Sequence, residues 1–130
     1  MKKTILLLIS ISISSLGFAQ GINFFHGTFE EAVNQAKSEN KLLFIDCYTA
    51  WCGPCKILGP ILKEVKDNFG ERISIIKIDV DKNRSITSQY QVRGVPTMLL
   101  FQNGKQLWRQ SGVLSKIEIV TIINEKCTWT

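Results

Sequence analysis

Histidine is almost missing from this chain: His26 stands alone in 130 residues. Four cysteines accompany it, and only Cys52 and Cys55 are spaced as a pair, so the ligand set of a four-coordinate zinc site is not available. No run of lysine or arginine occurs either, although 16 basic against 11 acidic residues leave a formal charge of +5. A diffuse excess of that size argues against nucleic acid or an anionic membrane surface as the partner. No repeat, low-complexity tract or linker interrupts residues 20–130, which leaves room for one domain and not an array. The one long apolar stretch, Thr4 to Ala19, would span roughly 24 Å as a helix, short of the ~30 Å hydrocarbon core. No cysteine lies at residues 17–20, which excludes a lipid-modified N-terminal cysteine.

What that first stretch offers instead is the layout of a secretory signal. Met1-Lys2-Lys3 is basic, Thr4 to Leu16 is uncharged and mostly apolar, and Gly17-Phe18-Ala19 supplies small residues before a cut ahead of Gln20. Residues 1–19 are therefore expected to be a cleaved signal peptide and residues 20–130 the mature domain. The expected destination is the periplasm or the medium, with no stable membrane insertion after cleavage. Removal of Lys2 and Lys3 lowers the charge to about +3.

Beyond residue 20 the order reads strand, helix, strand, helix, strand, helix, two strands, helix. Ile22 to Phe25 is a short strand candidate. Thr28-Phe29-Glu30-Glu31 has the form of a capping box and opens a helix with Phe29, Ala32, Val33 and Ala36 on one face, closed by Asn40. Leu42 to Tyr48 is nearly continuous in apolar residues, as a central strand covered on both faces would be. A helix from about Cys52 to Phe69 carries Leu58, Leu62, Val65 and Phe69 on its buried stripe. Pro60 should bend it, and Gly70 ends it. Ile73 to Val80 reads as a second central strand, followed by a short helix near Arg84 to Tyr90. Asn103-Gly104 between two apolar runs predicts a hairpin. Ser115-Lys116-Ile117-Glu118 is a second capping box, opening a helix with Ile119, Val120, Ile122 and Ile123. The fold class predicted is α/β, a mixed sheet flanked by helices on both faces.

Cys52-Gly53-Pro54-Cys55, set between a strand and a helix, carries the chemistry. Two thiols three positions apart can close a small ring. The unpaired N–H groups at a helix start favour a thiolate there. Cys52 at the helix start is expected to be exposed and to be the nucleophile. Cys55, one turn in and more buried, is expected to attack the resulting mixed disulfide. The plain alternatives for the pair are a structural staple or half a zinc site.

These residues are similar to those of the thioredoxin superfamily across the span from about Phe24 to Lys126. Trp51-Cys52-Gly53-Pro54-Cys55-Lys56 resembles the family's active-site sequence. Asp46 resembles its buried aspartate, Pro60 the proline of the active-site helix, and Lys77 the lysine near that aspartate. Gly94-Val95-Pro96-Thr97 resembles the loop with a cis-proline facing the site, and Asn103-Gly104 and Gly112 resemble its turn glycines. Tyr48 and Cys47 depart from the usual tryptophan and phenylalanine. The segment Phe29 to Lys41 is more similar to exported bacterial thioredoxin-like proteins than to the shorter cytosolic form.

The resemblance implies a thioredoxin fold and a protein-disulfide reductase that needs no metal or organic cofactor. It implies a role for Asp46 in proton transfer with Cys55, against the plainer reading of a structural buried carboxylate. Lys77 either tunes Asp46 or reaches solvent. Trp51, Gly53, Pro54, Val95 and Pro96 are implied as substrate-binding, with a core aromatic and a trans proline as the plain readings of Trp51 and Pro96. Partners implied are disulfide-containing proteins and a membrane thiol carrier as electron donor, acting on a monomer. Two other readings stand beside this: an oxidase or isomerase of exported proteins, and a binding subunit of the same fold without turnover. Cys47 is expected in the core and Cys127 nearer the surface. Trp108 and Trp129 read as packing residues, and His26 is assigned nothing.

Overall fold

The structure, a computed structural model, describes residues 28–129. The expected signal peptide, the strand candidate at Ile22 to Phe25 and His26 lie outside the described residues. From Thr28 onward the elements are α1 (Phe29–Ser38), β1 (Leu42–Tyr48), α2 (Gly53–Phe69), a 3-10 turn (Gly70–Arg72), β2 (Ile73–Asp79), α3 (Arg84–Gln89), β3 (Thr97–Gln102), β4 (Lys105–Ser111) and α4 (Lys116–Lys126).

Local chemistry accounts for most of these boundaries. Thr28 caps α1 through both bonds of a capping box, its hydroxyl accepting from the Glu31 N–H and its own N–H donating to the Glu31 carboxylate. Ser115 and Glu118 do the same for α4. Each box satisfies two of the N–H groups that a helix start leaves unpaired. Asn40 ends the α1 turn at φ 53° and Gly70 closes α2 at φ 58°, the left-handed region that asparagine and glycine enter most readily. Pro60 sits inside α2, which continues through it without interruption. Asn103 and Gly104 have φ values of 53° and 78°, as a two-residue hairpin turn between β3 and β4 requires.

The sheet order is β2-β1-β3-β4, with β1 parallel to β2, antiparallel to β3, and β3 antiparallel to β4. The sheet is thus mixed, as the sequence pattern predicts. Ile73 to Val80 reads as a central strand; among the described residues β2 pairs with β1 and ends the strand order. Both faces of β2 are covered: Ile73 and Ile75 join the core under α2 and α4, Ile76 and Ile78 join the core against α1, and Ser74, Lys77 and Asp79 are half-buried.

Alternation along β1 divides the core in two. Leu42 and Phe44 face α2 and α4, where they join Leu58, Leu62, Val65, Met98, Ile119 and Ile123. Leu43, Ile45 and Cys47 face the other way, toward Phe29, Ala32 and Ala36 of α1 and the aromatic cluster of Tyr90 and Phe101. Covering both faces of one strand fixes its register, because a one-residue slip would exchange the two sets of side chains. That register is what delivers Cys52 to the rim.

Candidate active site

β1 and β2 are parallel, so both point their C-terminal ends at the same rim. The chain leaving β1 carries Thr49, Trp51 and Cys52; the chain leaving β2 carries Val80 and Asp81. Together with Gly53, Pro54 and the segment Val92 to Val95, they line a groove of about 470 Å³.

Cys52 caps α2, and its Sγ accepts the N–H of Cys55 at 3.1 Å. The two sulfurs are joined in a disulfide with the Cα atoms 5.3 Å apart. Burial corrects one expectation: Cys52 is as enclosed as its partner, 5% against 3% exposed. The groove walls and the closed ring cover it. A difference in access survives all the same, since Cys52 lines the groove and Cys55 does not. Gly53 and Pro54 occupy the first helical turn, where the missing proline N–H costs nothing, and a side-chain carbon at Gly53 would meet nothing within 4 Å. The groove floor beside the sulfur is therefore open.

Trp51 is no core aromatic. It is 75% exposed, and its indole N–H donates to the Asp81 carboxylate at 3.1 Å, tying the end of β1 to the end of β2. On the opposite wall the Val95–Pro96 peptide is cis. Val95 lines the groove, and neither its N–H nor its C=O pairs with another described residue. Pro96 itself is buried and lies behind that wall rather than in it.

By strand parity Asp46 shares the α2 face with Phe44, and it is fully buried with both carboxylate oxygens free of hydrogen bonds among the described residues. Loss of hydration pushes its pKa up to about 6, with the positive charge of Lys77 pulling weakly the other way. Lys77 stands directly opposite Asp46 in the β1–β2 register, yet the two form no ion pair. Its ammonium rests 4.4 Å from the centre of the Tyr48 ring. Lys77 thus acts on Asp46 through its field, and Tyr48, a departure from the family pattern, takes the contact.

The other two cysteines stay out of the site. Cys47 is fully buried on the α1 face and Cys127 is 7% exposed on the α2–α4 face, so the expectation of a surface thiol at Cys127 is corrected. Burial raises their thiol pKa values to about 12 and about 11. Trp108 packs beside Phe44, and Trp129 stacks on Phe69 at 5.6 Å. Among the described residues no three His, Cys, Asp or Glu side chains converge as metal ligands, and no helix is long and apolar enough to cross a membrane.

Sequence reasoning missed Asp81, Arg93 and Thr49 as parts of the groove. Asp81 was within reach of it: parallel pairing of β1 and β2 places the two following loops side by side. Nothing local marks Arg93 or Thr49.

Comparison with known proteins agrees with this geometry. The sequence model of the Thioredoxin family matches residues 22–125. The chain is 39% identical over 98 residues to a thioredoxin of Mycoplasmoides gallisepticum, covering 75% of this chain and 97% of that protein. It is 33% identical over 102 residues to a thioredoxin of Chlorobaculum thiosulfatiphilum, covering 78% and 94%. Among solved structures, a mutant thioredoxin from Halobacterium salinarum superimposes with a TM-score of 0.69 at 31% identity, over 82% of this chain and 91% of that one.

Proposed function

This chain belongs to the thioredoxin family, and from that premise we propose that it is an exported protein-disulfide reductase attacking through Cys52. Thiol–disulfide exchange with disulfide-containing proteins follows from the family and the Cys52–Cys55 pair. The direction, the roles of single residues and the location are the proposal. The observation that carries it is the unequal access of two bonded sulfurs, one on the groove and one behind it.

In the reduced protein Cys52 is the thiolate, favoured by the Cys55 N–H and the helix start. An extended substrate segment pairs with the free N–H and C=O of Val95, Trp51 covers the groove, and open space at Gly53 and Pro54 admits its backbone. Cys52 Sγ attacks one substrate sulfur, the substrate S–S bond breaks, and the departing thiolate takes a proton from water. Cys55 gives its proton to the Asp46 carboxylate and attacks Cys52 Sγ. The mixed disulfide breaks, and the second substrate thiolate leaves with the proton that Asp46 gives up, so that one of the two protons comes from Cys55 and one from water. The substrate has gained two electrons and two protons, and the protein has reached the disulfide form of this structure. Return to the dithiol takes the same two electrons and protons from an external dithiol, which for an exported monomer is a membrane thiol carrier.

Insulin reduction driven by dithiothreitol tests turnover: the native chain should be active and Cys52→Ser inactive. Equal rates would mean a binding module instead. Cys55→Ser should accumulate mixed disulfides held by Cys52, and a trap working equally through Cys52→Ser would reverse the order of attack. Equilibration with glutathione should leave the pair more reducing than glutathione; a strongly oxidising pair would make the chain an oxidase or isomerase. In its native cell the chain should be recovered from the envelope with Gln20 at its N-terminus, and an unprocessed cytosolic form would overturn export.

A further inference from the structure

Among the residues lining the groove only two carry charge, and the charges are opposite: Asp81 and Arg93. Asp81, on the β2 side, is already engaged by the indole N–H of Trp51. Arg93, on the side of Val95, is exposed and forms no ion pair or hydrogen bond with a described residue. Its backbone is nevertheless fixed on both sides. Val92 before it is buried, and its N–H donates to the Thr87 carbonyl at 2.8 Å. The carbonyl of Gly94 after it accepts the Thr97 hydroxyl at 2.6 Å. Beneath this segment the Arg109 guanidinium donates to the carbonyls of Tyr90 and Gln91. A free guanidinium thus stands on a rigid wall, two residues from the backbone groups that an extended substrate would pair with.

On this basis, and resting on the reductase reading above, we infer that Arg93 makes the groove select disulfides flanked by an acidic side chain. A substrate strand lying along Val95 must pass Arg93, and a carboxylate two residues from the reacting cysteine offers the planar, two-oxygen partner that a guanidinium forks onto. A lysine at that place meets like charge with no compensating acid on the same wall. Asp81 does not cancel the effect, since its carboxylate belongs to the opposite wall and faces the Trp51 N–H.

The test uses the full reduced protein and cysteine peptides joined in a disulfide to mercaptoethanol. The peptides are identical but for Glu, Gln or Lys at two residues before, or two after, the cysteine. At low salt, kcat/KM should favour Glu over Lys roughly threefold or more at one of the two positions, the size expected of a part-exposed pair. The preference should shrink as salt is added. Arg93→Gln should bring the ratio close to one, and Arg93→Glu should invert it. Equal rates for the Glu and Lys peptides, or an undiminished preference in Arg93→Gln, would overturn the role of Arg93 while leaving the reductase intact. Failure of the neutral Gln peptide to react at all would instead overturn the reductase reading, and this inference with it.

Discussion

Replacing Asp46 with asparagine should change how stability depends on pH, and the sign is unusual for a carboxylate. In the fold, burial moves the Asp46 carboxyl from 3.8 to about 6. The native state therefore holds a proton over a range in which the unfolded chain has released it, so stability falls as pH rises through that range. At ~1.4 kcal/mol per tenfold change in proton affinity, the loss between pH 4 and pH 8 is about 2 kcal/mol. The side chain is fully buried and unpaired, so solvent screening removes little of it. Asparagine brings its own cost, two amide donors without partners, but that cost does not vary with pH. Urea unfolding of the oxidised native chain and of Asp46→Asn, at matched pH values from 4 to 8, isolates the effect. The variant should gain on the native chain by about 2 kcal/mol across the series. It should also lose disulfide-reducing activity above pH 6, where the carboxylate would accept the Cys55 proton. A stability difference that stays flat with pH would refute the reasoning, because it would mean that ionising Asp46 costs the fold nothing.

Other expectations are more local. Cys47 and Cys127, buried with thiol pKa values near 12 and 11, should resist iodoacetamide at pH 8 in the folded oxidised protein and react promptly in urea; fast alkylation of either before unfolding would contradict the packing. Arg109→Met removes the two bonds that hold Tyr90 and Gln91, and should cost about 1–2 kcal/mol in thermal or urea unfolding. It should also raise KM for a peptide disulfide more than it lowers kcat, with Arg109→Lys in between; unchanged KM would dissociate this bond from the groove. Trp51→Phe keeps the ring and loses the donor to Asp81, so stability should move by less than ~1 kcal/mol while KM rises, measured by peptide reduction and unfolding side by side.

The fold was legible where a few adjacent residues settle the matter. Two capping boxes, the Asn103-Gly104 turn and the unbroken apolar run of β1 are short-range signals, and each appears in the structure as read. The core stripe of α2 was legible for the same reason, since helical spacing is a property of the segment itself. The order of the strands was not, because an apolar run covered on both faces does not say which strands lie beside it. Side-chain destinations were harder still. Lys77 is paired with Asp46 by register, yet the Tyr48 ring wins its ammonium, a competition that no spacing rule records. Of the site, Trp51, Cys52, Gly53, Pro54 and Val95 line the groove, while Asp46, Cys55, Lys77 and Pro96 do not. Asp81 and Arg93 reach the groove from loops that only tertiary topology brings near Cys52.

The placement of Cys47 and Cys127 has a consequence for how this protein tolerates oxidants. The two belong to cores on opposite sides of one sheet, and neither opens onto the groove where Cys52 lies. Four cysteines allow three complete pairings, but here the sheet separates the spare thiols from each other, and both are buried away from the groove of the reactive couple. Scrambling demands that the chain first come apart. Within the native molecule only the Cys52–Cys55 bond can therefore open and close, and a protein built to trade sulfur bonds is kept from tying itself in the wrong knot.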